Sequence, residues 1–147
     1  MSKDSPANVL AQFCDDEGWI GSPSDWTYFI DNLPANPSTE RDIAFFNYGH
    51  SKDGRLMEGT VILKPMVQIV ARSVYSHEAF SILDFLLEEL SKVKQTDNHI
   101  VTIEEGSQWH LKNWSFLHGP VLIGQEEHNG MFRYSLNGKM TVTKVTP

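Results

Sequence analysis

One cysteine, Cys14, is all the chain has, so no internal disulfide can form and the fold does not depend on oxidation. Basic residues are also scarce. Twelve Lys and Arg stand against 19 Asp and Glu, a net charge of -7, and no cluster of the twelve makes up the deficit. General nucleic-acid binding needs a basic face to neutralise phosphates, and this composition argues against it. No apolar run approaches the roughly 20 residues of a membrane span, and the N-terminal MSKDSPAN lacks the hydrophobic stretch of a signal peptide. A protein assembled in a reducing cytoplasm, with no membrane, is the expectation.

The motifs of common chemistry are missing as well. Six histidines, at 50, 77, 99, 110, 118 and 128, show neither HExxH nor a helical i, i+4 pair, so metal-ligand spacing is absent. There is no GxSxG, phosphate loop or dinucleotide fingerprint. Glu88-Glu89 and Glu104-Glu105 read as solvated faces. Trp109, Trp114 and Phe116 suggest a stacking platform for bases, but without a basic groove they are better explained as core. No residue requires catalysis, and no cofactor is implied.

What is present is a change of period. From Met66 to Arg72 the sequence alternates: Val67, Ile69 and Ala71 face one way, Met66, Gln68, Val70 and Arg72 the other, which predicts a strand. From Ala79 the apolar positions step by four and three through Leu83, Leu86, Leu90 and Val93, a helical stripe, with Ser76 as its N-cap and Glu78 in its first turn. An earlier helix is predicted over Ser5 to Glu17, capped by Ser5 with Pro6 at its first position and stopped by Gly18.

Short strands are predicted at Trp26 to Ile30 and Asp42 to Asn47, separated by the Leu33 to Pro37 loop, which two prolines keep irregular. Residues 48–59, YGHSKDGRLMEG, have three glycines and no periodicity, so they read as a long hairpin tip or a mobile loop and as the first place to seek a partner contact. After the second helix, Gln95 to Asn98 should end it. HIVTIEEG is a short strand or connection, and extended pieces follow at Trp109 to Leu117, Val121 to Glu126 and Met131 to Lys144, the last two joined by an Asn129-Gly130 turn of type I′. In the final strand Phe132, Tyr134, Leu136, Gly138, Met140 and Val142 share the core face, with Gly138 a candidate bulge or bend. With 147 residues and no repeats, the expectation is one domain, 1–147: an α+β fold, mainly antiparallel, with one long helix packed on one sheet face and a short N-terminal helix.

Several stretches, read together, resemble the phage minor capsid or tail-terminator (tail completion) proteins of long-tailed phages. They are LKPMVQIVARSVYSHEAFSILDFLLEEL, then upstream YFIDNLPANPSTERDIAFFNYGH and downstream HLKNWSFLHGPVLIGQEEHNGMFRYSLNGKMTVTKV, so the resemblance covers about residues 26 to 145. The Arg of that family's final hairpin is expected nearer the Gly than Arg133 stands here. The resemblance implies a homo-oligomer, a six-membered ring in the tail or neck of the virion that caps the head-proximal end of the tail tube, ends its polymerisation and offers a surface for head joining. Its implied partners are the major tail tube protein and a head-tail connector or stopper, with DNA passing through the ring without specific binding. It implies no enzyme. Interface candidates are His50, Ser51, Lys52, Asp53, Gly54 and Arg55 in the loop, with Gln68 and Arg72 on the outer face of the central strand. Two other readings stay open: a cytoplasmic α+β module binding a ligand or peptide on its aromatic sheet face, and a small enzyme built on Cys14 or a histidine.

Overall fold

The computed structural model describes residues 5–21, 25–35, 40–55, 61–93, 99–103, 107–127 and 129–145, with backbone alone at 49–55 and 61–63. Helix α1 (Pro6–Asp16) starts as its sequence dictates. The Ser5 hydroxyl accepts from the Asn8 N–H at 3.3 Å, and Pro6 fills a position whose N–H has no helical partner. Gly18, at φ 79°, ends it: Trp19 N–H donates to Cys14 O at 3.0 Å and Gly18 N–H to Asp15 O at 2.9 Å, a pairing that needs the left-handed residue between them.

Strands β1 (Thr27–Ile30), β2 (Arg41–Arg55) and β3 (Val61–Ser73) come next, then α2 (Ser76–Ser91), then β4 (His99–Thr102), β5 (Gln108–Phe116), β6 (Val121–Gln125) and β7 (Phe132–Val145). The seven strands form one sheet in the order β1-β2-β3-β7-β5-β4, with β6 paired to β7 beside that path; β1 and β2 are parallel and every other pair antiparallel.

The expected α+β sheet with a long helix packed on one face is overturned. The chain is mostly β, its helices are short at 11 and 16 residues, and its sheet is curled into a half barrel. In a flat sheet β1 and β4, five places apart, would lie about 24 Å from each other. Helix α1 touches both, as the curl allows. The Ala79, Leu83, Leu86 and Leu90 stripe of α2 fills the hollow together with Val9, Leu10 and Phe13 of α1, against Ile43, Phe45, Ile69, Leu111, Leu136 and Met140 of the sheet.

The strands are longer than their alternation suggests, because the periodicity breaks inside them. β2 runs through the stretch read as an irregular loop as far as Arg55, with register shifts between Asn47 and Gly49 and between Lys52 and Gly54. Such bulges bend and twist the strand, which suits a curled sheet and erases clean alternation from the sequence. The hairpin tip at 56–60, the helix end at 95–98 and the Glu104-Glu105 pair lie outside the described residues.

Two local expectations are also corrected. Tyr75, not Ser76, is the N-cap of α2; the Ser76 hydroxyl instead bonds the Tyr134 hydroxyl at 2.9 Å. Gly138 is no bulge, since the β3–β7 register runs through it without a shift. Its missing Cβ makes room for the indole of Trp114, whose nearest ring atom would lie 1.9 Å from a Cβ built there. Trp114 is buried within the core, so the ring cannot swing clear without opening a void. Gly138→Ala should therefore cost about 2–3 kcal/mol through overpacking, read as a lowered urea midpoint; an unchanged midpoint would show that the ring has room.

Candidate assembly surface

β7 has β3 along one edge. Its other edge carries two strands end to end, β5 against residues 138–145 and β6 against 132–135. Phe116 lies opposite Gly138, Leu117 N–H donates to Asn137 O at 2.8 Å, and Val121 lies opposite Ser135. β5 and β6 are thus one line of strand interrupted by His118, Gly119 and Pro120, whose proline lacks the donor that would continue it.

The residues on both sides of this interruption are apolar and open. Phe116, Leu117, Val121, Leu122 and Ile123 are each 48 to 56 % exposed. Successive strand residues point to opposite faces, so exposure of both Val121 and Leu122 means that neither face of β6 is covered. Leu122 lies opposite Tyr134 on the helix side and Val121 opposite Ser135 on the outer side, while Ile123 falls in the register shift between Leu122 and Gly124. Among the described residues β6 pairs with β7 alone, which leaves its second edge open too. Helix α2 adds exposed Phe80, edge-on to Tyr134 with ring centroids 5.8 Å apart. Exposure of Phe116 departs from the expectation that it is core beside Trp109 and Trp114, both of which are buried.

The position of β6 is fixed from its far end by charge. Asp42, Arg72 and Arg133 are cross-strand neighbours on β2, β3 and β7, all on the outer face. Glu126, the residue after β6, closes the row. Arg72 donates to Asp42 through Nη2 at 2.8 Å and Nε at 3.0 Å, and reaches Glu126 through Nη1 at 3.4 Å, while Arg133 Nε donates to the same Glu126 oxygen. Arg72 and Asp42 are wholly buried. Two arginines and two carboxylates balance, as buried charge must.

The turn that delivers Glu126 is not the two-residue type expected. It spans 126–131, closed by Glu126 N–H to Met131 O at 2.8 Å and Gly130 N–H to Glu126 O at 2.9 Å, and Gly130 has positive φ (72°) whereas Asn129 does not. Asn129 instead donates to the Glu126 carboxylate at 2.5 Å and accepts from Met131 N–H at 2.9 Å. Burial opposes ionisation of Glu126, but the bonds from Asn129 and Arg133 and the charges of Arg133 and Arg72 outweigh it and hold the carboxyl below its usual range.

Of the interface candidates, Arg72 is thus engaged inside the fold, and Gln68 lies half-buried on the outer face. His50 to Arg55 lie along the distal half of β2. β1 covers only Asp42 to Phe45, and the Asn47 N–H is taken by the Asp31 carboxylate at 2.8 Å, so no described strand pairs with the outer edge of β2 beyond it. The exposed Val-Leu-Ile of β6 and the part played by Arg133 were not foreseen. An unbroken apolar triplet on a short strand beside Gly-Pro was the available signal for the first; for the second the family resemblance offered a hairpin Arg, but nearer the Gly than Arg133 stands.

Elsewhere the chemistry is sparse. Cys14 is wholly buried, and burial first, then the charges of Glu17 and Asp15, push its thiol far above the ordinary range, so it forms no thiolate nucleophile at neutral pH. No described group of three His, Cys, Asp or Glu is placed to hold a metal ion. An open cleft of about 420 Å³ lies among Phe13, Trp19, Val93 and His99, with Glu17, Glu89 and Lys92 at it. None of the described helices is long and apolar enough to cross a membrane.

Arg72→Leu should cost about 3–5 kcal/mol, because it takes from the buried Asp42 the guanidinium that balances its charge; adding Asp42→Leu should recover most of that loss. Urea unfolding of both variants checks this, and a double variant no better than the single one would contradict it. Acidification should also loosen the turn. The folded carboxyl of Glu126 is depressed and the unfolded one is not, so the unfolded chain takes up the proton first. Stability present above the ordinary carboxylate range is therefore lost as pH falls through that range toward the folded value. Glu78, held low by its Arg41 bond against burial and helped by Ser73, contributes in the same direction. Glu126→Gln should flatten the acid limb of a stability-pH curve without abolishing it, and an unaltered limb would remove Glu126 from the account.

No protein-family model matches this chain, and no curated protein matches it. A solved structure does: a chain from the virion of a native gene transfer agent particle, with TM-score 0.50 and 12 % identity over 92 % of this chain and 91 % of that one. At that identity the likeness is one of fold, and it runs nearly the whole length of both chains.

Proposed function

We propose that this chain is a structural component of a phage-related virion. The observation that carries the reading is the end-to-end likeness to a chain of a gene transfer agent virion. The exposed β6 strand supports it, since a protein working as a free monomer rarely leaves a contiguous apolar strand open on both faces and one edge.

Within that class, the reading we favour is a tail terminator: a ring at the head-proximal end of a tail tube that ends polymerisation and receives the head connector. It rests on the ordered resemblance of residues 26 to 145, and the distal half of β2 with Gln68 would supply contacts to the ring or tube. A ligand-binding module using an aromatic sheet face gains less support, because Trp109 and Trp114 are buried.

Deleting the gene from a genome that produces particles should yield tails of uncontrolled length that do not join heads, visible by negative-stain electron microscopy. Tails of normal, uniform length in the deletion would refute the terminator role. Absence of the chain from purified wild-type particles would refute the virion role altogether.

A further inference from the structure

Besides the end strands β1 and β4, two stretches of strand edge have no described strand beside them, and their chemistry pairs them. One is β6, five residues long and apolar on both faces. The other is the outer edge of β2 beyond Asn47, where the regular run Gly49–Lys52 lies between two bulges. We infer that β6 of one copy adds as a strand to the β2 edge of a second copy, head to tail. This rests on the assembly reading above and names the contact by which copies meet.

Three observations support a second copy as the occupant. Strand addition needs an unpaired partner edge of matching length, and this chain carries one at the far side of its own sheet. Copies that each carry -7 repel, so their contact must rely on apolar surface and backbone bonds, which Val121, Leu122 and Ile123 provide. A head-to-tail contact between two different patches also repeats, and when it closes into a ring every copy has both β6 and the distal edge of β2 covered.

The β2 edge has its donors turned outward at the right place. Pro65 has no N–H, and it lies in a gap of the β3–β7 ladder, between the Leu63–Val142 and Met66–Lys139 pairs. Its nitrogen therefore faces β7, where no bond is asked of it. Backbone N–H and C=O of one strand residue point the same way, so the pair it makes with His50 is the non-hydrogen-bonded kind, and the N–H and C=O of His50 point away from β3 toward the open edge.

Two variants isolate the two patches. Ile123→Lys places a charge on the exposed face of β6 while lowering net repulsion between copies, so loss of association could not be assigned to charge. His50→Pro removes an outward N–H without touching the ladder to β3. Analytical ultracentrifugation of the purified chain, over a series reaching millimolar protein, should show self-association of the wild type and monomers for each variant alone. Mixing the variants should restore a one-to-one heterodimer, because one keeps its β2 edge and the other its β6.

A wild type that stays monomeric throughout would overturn the inference. So would variants that associate as the wild type does, or His50→Pro pairing with itself, which would mean that β6 meets β6. Should His50→Pro fail to fold, amide exchange at Gly49–Lys52 in the wild type reads the same contact: slowing with concentration supports it, and no change contradicts it. None of these readouts needs a particle, so the virion role can fail while the contact stands, and the reverse.

Discussion

Arg72 sits out of water on the face of β3 that its period marks as the outer one, and the arrangement of that side of the molecule depends on keeping its charge satisfied. Asp42 supplies one partner from β2 and Glu126 the other from the turn after β6. The guanidinium thereby ties two strands and a turn at one point, and Arg133 joins β7 to the same Glu126 oxygen. A buried ion pair adds little net stability over a well-packed apolar pair, but removing one partner is costly, so its main effect is to specify an arrangement. Here it specifies where the β6–β7 turn lies, and hence how β6 is held.

That constraint connects the core to the surface. β7 is shared by β3 on one side and by the broken β5–β6 line on the other. Trp114, lying over Gly138, anchors the β5 half in the core, and the Glu126 cluster anchors the far end of β6. Between these anchors the Gly119-Pro120 break leaves a short strand that is positioned but not covered. Apolar and held in register on β7, it has the properties of a preformed contact surface, which loses less entropy on binding than an irregular loop would.

Much of the core was legible in the sequence, because burial imposes a period. The Ala79-Leu83-Leu86-Leu90 stripe and the alternation of Val67, Ile69 and Ala71 are buried as read, and Ser5, Pro6 and Gly18 bound α1 as their chemistry requires. The architecture was less legible. Curl comes from bulges and long coiled strands, and the glycines at 49 and 54 that accompany those bulges look in sequence like a loop. The charge cluster was hidden for another reason: Asp42, Arg72, Glu126 and Arg133 are up to 91 positions apart, and only the strand register makes them neighbours. The alternation of β3 offers Gln68 and Arg72 on its outer face to a partner, whereas the turn at 126–131 brings Glu126 to that face and Arg72 is dry.

The account holds that this fold is a virion part whose open strand is covered by its neighbour. Cryo-electron microscopy of the intact particle, at a resolution that separates strands, tests this most directly. The expected map contains this chain with β6 of each copy lying against β2 of the next and Val121, Leu122 and Ile123 out of solvent. A map in which the chain is absent, or is present with β6 bare on every side, would contradict it.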